Sequence, residues 1–172
     1  MKTSSPGSST GCTANLRVFR VFDARFADAS LTGEGAALTG GRWNSRGIPI
    51  IYTSTTLALA LLEIMANARR RIPPDKVFTV IDIPEDVSVE NLDLDTLPPN
   101  WYRSPAPSAL QRIGDRWATQ CESVALVVPS AVARIENNVL LNPAHPAFAR
   151  LTIGTPCNIP VDARLRGRSV RS

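Results

Sequence analysis

Gly40-Gly41-Arg42-Trp43-Asn44, Ile51-Tyr52-Thr53-Ser54 and Leu57-Ala58-Leu59-Ala60-Leu61-Leu62-Glu63 lie within one stretch, residues 40–63, on which the reading of this chain turns. The order is a glycine turn carrying an arginine, a short strand ending in a tyrosine, and a helix. A hydroxyl at Thr53 or Ser54 is placed to cap that helix by accepting an orphan N–H of its first turn. The helix predicted over 56–66 is apolar nearly all the way round, which predicts burial rather than an amphipathic surface position. Glu63 is its one ionisable residue, and its neighbours one turn away, Leu59, Ala60, Ala66 and Asn67, bring no positive charge. An ionised carboxylate in that setting is costly unless a distant group satisfies it, and Arg42 and Arg20 are the upstream candidates. Two readings stay open: a buried structural ion pair, or a carboxylate held in a pocket to meet a cationic substrate.

Outward from this stretch the chain alternates strands with a few helices. Residues 16–22 (Leu-Arg-Val-Phe-Arg-Val-Phe) form a strand by β-branched and aromatic content, with Arg20 on the face of Leu16, Val18 and Phe22. That arginine either snorkels at an edge or reaches into a site. Residues 23–41 are small and glycine-rich and read as a loop. Gly33-Glu34-Gly35 is no dinucleotide fingerprint, because the third glycine is missing and no helix is expected to open there; no P-loop lysine is present either. Gly40-Gly41 offers Arg42 on flexible backbone, and a guanidinium fork suits phosphate or carboxylate oxygens.

A second strand is expected over 48–53. Arg69-Arg70-Arg71 suits the C-terminal dipole of the following helix, and Pro73-Pro74 ends the unit. A third strand covers 77–83, and 85–100 is acidic loop. A helix over 108–120, capped by Ser108, buries Leu110, Ile113 and Trp117. Strands follow at 124–128 and 138–142, with edge strands at 150–153 and 158–161. His145, the only histidine, sits beside prolines and reads as structural. The whole is an α+β domain with a largely antiparallel sheet.

Composition narrows the function classes. The chain has 172 residues, 44% hydrophobic and 20% charged, ordinary for a globular domain large enough to bury a core without staples. No apolar run approaches a bilayer span. The Ser/Thr/Gly-rich residues 1–15 lack a hydrophobic core of a signal peptide and read as a disordered lead-in. Cys12, Cys121 and Cys157 are odd in number and widely spaced, so they read as free thiols of a reducing, cytoplasmic compartment, without a zinc site. The net charge of +4 is matched by Arg164, Arg166, Arg168 and Arg171 alone, so the rest of the chain is neutral overall. A basic tail at 166–172 reads as a solvated terminus, and direct nucleic-acid binding by the body is disfavoured.

The ordered series of motifs is distinctive. It runs Leu31-Thr32-Gly33-Glu34-Gly35-Ala36, the Gly40–Asn44 and Ile51–Ser54 segments, Leu59-Ala60-Leu61-Leu62-Glu63, Ile113-Gly114-Asp115-Arg116-Trp117, Val128-Pro129-Ser130-Ala131-Val132 and Leu141-Asn142-Pro143-Ala144-His145-Pro146. This series resembles the RES domain family, toxins named for an arginine, a glutamate and a serine, and covers residues 16–165. The resemblance implies an ADP-ribosyltransferase-like fold, cleavage of the nicotinamide–ribose bond of NAD as substrate rather than cofactor, and silencing by a cognate Xre-type helix-turn-helix antitoxin. Nucleic acid would be met only through that antitoxin. By motif the arginine is Arg42, the glutamate Glu63 and the serine Ser130, with Ser123 the other choice for the serine. The resemblance also places Tyr52 against the nicotinamide ring and Arg20, Gly41 and Asn142 among the substrate-binding residues.

The chemistry is consistent with that implication. Nicotinamide leaves NAD from a cationic pyridinium, so no general acid is needed and one carboxylate beside the ribose suffices to stabilise the oxocarbenium charge. Glu63 suits that role, with Arg42 and Arg20 holding pyrophosphate. A serine nucleophile is disfavoured because no activating base is evident. Water or inorganic phosphate would be the acceptor. The alternatives are a protein ADP-ribosyltransferase and a nucleic-acid-binding or RNA-cleaving toxin drawing on the arginine tail, which lacks aromatic residues to stack bases.

Overall fold

In the computed structural model, residues 15–68 and 72–165 are described. The N-terminal lead-in with Cys12, the Arg69-Arg70-Arg71 run and the tail 166–172 lie outside them. The described strands are β1 (Leu16–Asp23), β2 (Ile51–Ser54), β3 (Lys76–Ile83), β4 (Val89–Asn91), β5 (Ala125–Pro129), β6 (Asn137–Leu141), β7 (Thr152–Ile153) and β8 (Cys157–Asn158). They join in one sheet of order β4-β5-β6-β2-β1-β3-β7, with β8 also on β3. Only the β4–β5 pair is parallel. The α+β, largely antiparallel expectation holds.

Strands β5 and β6 are buried on both faces, which explains their unbroken apolar runs. Ala125, Val139 and Leu141 face one core with Val18, Ile51, Ile81 and Ile83. Leu126, Val128 and Leu140, pointing the other way by the two-residue period, join Trp43, Ile50, Leu110 and Trp117 in a second core. That second core is closed by α3 (Ser108–Gln120), whose buried residues are Leu110, Gly114 and Trp117. A third, smaller cluster joins Leu61 of α2 (Leu57–Asn67) to Ile72 and Ile159.

Several local expectations are corrected. The cap of α2 is Thr56, whose side chain accepts from the Leu59 N–H at 3.1 Å. Thr53 and Ser54 are still in the strand, and their hydroxyls donate across it to Val139 O and Asn138 Oδ1, both at 2.6 Å. Nor is α2 buried all round: Leu59, Ala60 and Leu61 are, whereas Leu62 is 41% exposed. The 23–41 loop contains α1 (Glu34–Thr39), started from Gly33 at φ 73° and ended at Gly40 at φ 72°. Its small, glycine-rich composition hid this helix, because the glycines serve as its two ends. Ser108 is the first helical residue of α3, with Pro107 before it, and makes no cap bond. The 85–100 loop contributes β4. His145 is structural as expected: its Nδ1 accepts from the Ala147 N–H at 3.0 Å. Cys121 and Cys157 are free thiols. Among the described residues no helix is long and apolar enough to cross a membrane.

Candidate active site

The site is built from three elements that converge where β1, β2 and β6 lie side by side. Strand β2 carries Tyr52 and Ser54 on one face, two residues apart. Helix α2 follows β2 directly and lays its buried turn on β1 and β2. Glu63 stands one turn beyond Leu59 and Ala60 on that same face, so the fold that buries those two delivers the carboxylate to the sheet. The turn after β5 then brings Ser130 in from the other side.

Glu63 is bound by neutral donors. Ser130 Oγ donates to its Oε1 at 2.7 Å, and Asn138 Nδ2 donates to the same oxygen at 2.6 Å. The hydroxyl is fixed because Ser130 Oγ itself accepts the Val132 and Ala133 N–H groups at 3.1 and 3.0 Å. No arginine forms an ion pair with Glu63 among the described residues, which removes the structural ion-pair reading. Glu63 Oε2 takes no hydrogen bond there either, and the residue lines two adjoining cavities of about 210 and 930 Å³. The larger is within the ~300–1,000 Å³ typical of ligand sites.

The two expected arginines line the same space. Arg20 reaches inward from β1: Nη1 donates to Tyr52 O at 2.9 Å, and its buried Nε has no partner. Burial lowers its pKa to about 10, which leaves it charged at neutral pH. Of the two readings for Arg20, edge snorkelling is therefore the one the structure excludes. Arg42 projects from the glycine turn, and its Nη1 donates to Trp101 O and Arg103 O at 2.7 and 3.1 Å. Burial lowers the Arg42 pKa, and the charge of Glu63 opposes the shift.

The turn that carries Arg42 is rigid, contrary to the flexible backbone expected from two glycines. Tyr52 Oη donates to Asn44 Oδ1 at 2.7 Å and accepts the Trp43 N–H at 3.0 Å. Gln111 Nε2 donates to Gly41 O and Asn44 O at 3.0 and 3.2 Å, and Asp115 Oδ1 accepts the Ser45 N–H at 2.8 Å. A Cβ on Gly41 would sit 2.5 Å from Tyr52 Oη, so the close approach demands glycine. Burial pushes the Tyr52 hydroxyl well above its ordinary pKa, with the Trp43 N–H pulling the other way, so it remains a neutral phenol.

Arg20, Gly41, Arg42, Tyr52, Glu63 and Ser130 thus come together, but Asn142 does not. It is 1% exposed, its Nδ2 donates to Ala118 O at 2.9 Å, and its Oδ1 accepts the Ala144 N–H at 3.0 Å. It ties the chain just after β6 to α3, at the end of the strand away from Asn138. Ser123 is equally remote, saturated by Trp117 Nε1, Glu90 and Ala125 O. Asn138 and Gln111 were missed. An asparagine at the start of an apolar strand, paired with Ser54 across the sheet, was the signal for the first; no local signal marks the second.

Comparison with known proteins identifies the family. The RES domain model matches residues 17–162. The chain belongs to the RES domain family. Among relatives of this RES toxin is a Toxin Res of Photorhabdus laumondii, 39% identical over 76% of this chain and 84% of the relative. A Toxin Res of Yersinia enterocolitica is 33% identical over 88% of this chain and the whole of that protein. A protein of a Sphingobium species named Prs ADP-ribosylating toxin is 38% identical over 72% and 80% of the two chains. Among solved structures, the M. tuberculosis MbcT–MbcA toxin–antitoxin complex contains a chain of similar fold, with a TM-score of 0.69 and 20% identity. The match covers 86% of this chain and 85% of that one, so the two share a fold.

Proposed function

We propose that this RES toxin acts in the bacterial cytoplasm as an NAD glycohydrolase or NAD phosphorylase. The observation that carries the reading is Glu63, a carboxylate with one oxygen held by Ser130 and Asn138 and the other without a hydrogen bond among the described residues, in a cavity that Arg20 and Arg42 also line. The arginines suit the pyrophosphate, and the wall around Tyr52 suits a planar ring. The C–N bond between nicotinamide and ribose breaks with its electron pair going to the ring nitrogen, so the leaving group departs as neutral nicotinamide. Glu63 stabilises the positive charge left on the sugar, and the donors that hold it in place spare it reorganisation as that charge develops. An oxygen of water or inorganic phosphate then bonds to the sugar carbon, and the displaced proton passes to solvent. No proton has to be given to the leaving group, which suits a cavity whose one carboxylate is Glu63.

Activity of this kind requires restraint, and the proposed partner is a cognate Xre-type helix-turn-helix antitoxin that covers the cleft. The toxin–antitoxin complex among the structural neighbours supports an antitoxin as partner. The relative named as an ADP-ribosylating toxin favours a second reading, in which a protein side chain is the acceptor. Incubating purified protein with NAD, with and without phosphate, beside Glu63→Gln, tests the first reading. NAD loss in wild type only, faster with phosphate, identifies a phosphorylase; phosphate-independent loss identifies a hydrolase. NAD loss no greater than the amount of protein modified, with the label transferred onto protein, would replace the first reading with the second.

A further inference from the structure

Ser54 and Asn138 are direct partners across the β2–β6 ladder, and Asn138 is also opposite Val128 of β5. The backbone of Asn138 is therefore fixed by ladders on both sides. Its side chain is fixed too, because Ser54 Oγ donates to Oδ1 and Nδ2 donates to Glu63 Oε1, both at 2.6 Å. The direction of these bonds is forced. A carboxylate oxygen accepts, so the amide must face it with its NH₂ group, and the amide oxygen must then face Ser54. Ser54 is 3% exposed, so its hydroxyl has little water to turn to in place of that oxygen. Ser130 delivers its proton to the same Oε1, and its own lone pairs are taken by two backbone N–H groups.

We infer that Asn138, aligned by Ser54, is a positioning residue that holds Glu63 in its reacting orientation and leaves Oε2 as the single carboxylate oxygen presented to the substrate sugar. Two donors on Oε1 lock the plane of the carboxylate. The glutamate then meets one ribose hydroxyl, or the developing charge, through Oε2 alone and does not clasp two hydroxyls with both oxygens. The role rests on the NAD-cleavage reading, and it deepens that reading by separating the atom that is held from the atom that acts.

The test compares Asn138→Ala, Asn138→Asp and Ser54→Ala for kcat and KM with NAD, alongside thermal melting. Asn138→Ala should lower kcat about 10- to 100-fold with KM changed less than about threefold, because orientation rather than binding is lost. Ser54→Ala should act in the same direction by about three- to tenfold, since the freed amide loses its alignment. Asn138→Asp supplies a readout that mere structural support would not move. It sets a second carboxyl against Glu63, so the pair must share a proton and activity should recover as pH falls from 8 towards 5. Among the described residues, the other ionisable side chains lining these cavities are Arg20, Arg42, Tyr52 and Tyr102, and the arginines keep their charge over that range. Wild-type kcat in Asn138→Ala, or a flat pH profile in a folded Asn138→Asp, would overturn the inference. If wild type itself spares NAD, the NAD reading fails, and growth arrest on induction decides the positioning role. Full arrest by Asn138→Ala then refutes it and lost arrest upholds it.

Discussion

Strand β5 has a serine at each end, and each meets a glutamate. Ser123 Oγ donates to Glu90 Oε1 and Ser130 Oγ to Glu63 Oε1, both at 2.7 Å, and both serines are completely buried. The surroundings separate them. Ser123 also accepts from the indole N–H of Trp117 at 2.8 Å, so its hydroxyl is used up in fastening α3 to the sheet. Its glutamate stands on the exposed edge strand β4. Ser130 is fastened by backbone N–H groups instead, and its glutamate faces a cavity lined by two arginines and the neutral Tyr52. A Ser–Glu pair by itself does not make a site. The cavity, the cations and the unoccupied carboxylate oxygen do.

The largest contrast is expected when each serine is cut back. Ser130→Ala should lower NAD cleavage about 100-fold, as loss of one preorganised donor does elsewhere, while Ser123→Ala should stay within about twofold of wild type. Stability should show the reverse weighting at Ser123, where the buried Trp117 N–H loses its acceptor at a cost of about 1–3 kcal/mol. Steady-state rates and denaturant melts on the two variants check both halves; equal effects on rate would dissolve the distinction. A smaller effect is expected at the rigid turn. In Gly41→Ala the new Cβ crowds Tyr52 Oη and Asn44 Oδ1, so the turn must shift, at a cost of about 1–3 kcal/mol, and Arg42 with it. Activity should fall about tenfold, and unchanged melting would show that the contact is easily relieved.

Arg20→Met should have the smallest effect on stability. The folded pKa of Arg20 is about 10, below the unfolded value, because burial penalises its charge. Between the two values the unfolded chain binds more protons, so this group's contribution to stability rises with pH above about 10, and its cost is full at neutral pH. A depression of that size is of order 3 kcal/mol, offset in the variant by leaving Tyr52 O without its donor. Melting at pH 7 should therefore stay within about 1 kcal/mol of wild type or rise, although NAD cleavage weakens. A large fall in melting temperature would mean that Arg20 is a structural strut rather than a residue held in place for ligand.

Much of the fold was legible because strand content and proline stops are local properties. The strands around 16–22, 77–83, 124–128 and 138–142 and the helix at 108–120 all stand within a residue or two of expectation. What failed depended on partners distant in sequence. Thr53 and Ser54 look like caps until β6 is laid beside them and takes their hydroxyls. The double glycine looks flexible until Tyr52, Gln111 and Asp115 bind the turn. Arg42, Tyr52, Glu63 and Ser130 were found by motif, whereas Asn138 became visible only through its register opposite Ser54. Asn142 was assigned through a motif of its own, residues 141–146, which follows β6 at the end of the strand away from Asn138.

The most direct measurement follows NAD by proton NMR in the presence of wild type, Glu63→Gln and Glu90→Gln, scoring free nicotinamide. Wild type and Glu90→Gln should release nicotinamide at rates within about twofold of each other, with a loss of at least about 100-fold in Glu63→Gln. Release by a folded Glu63→Gln at the wild-type rate would contradict this prediction.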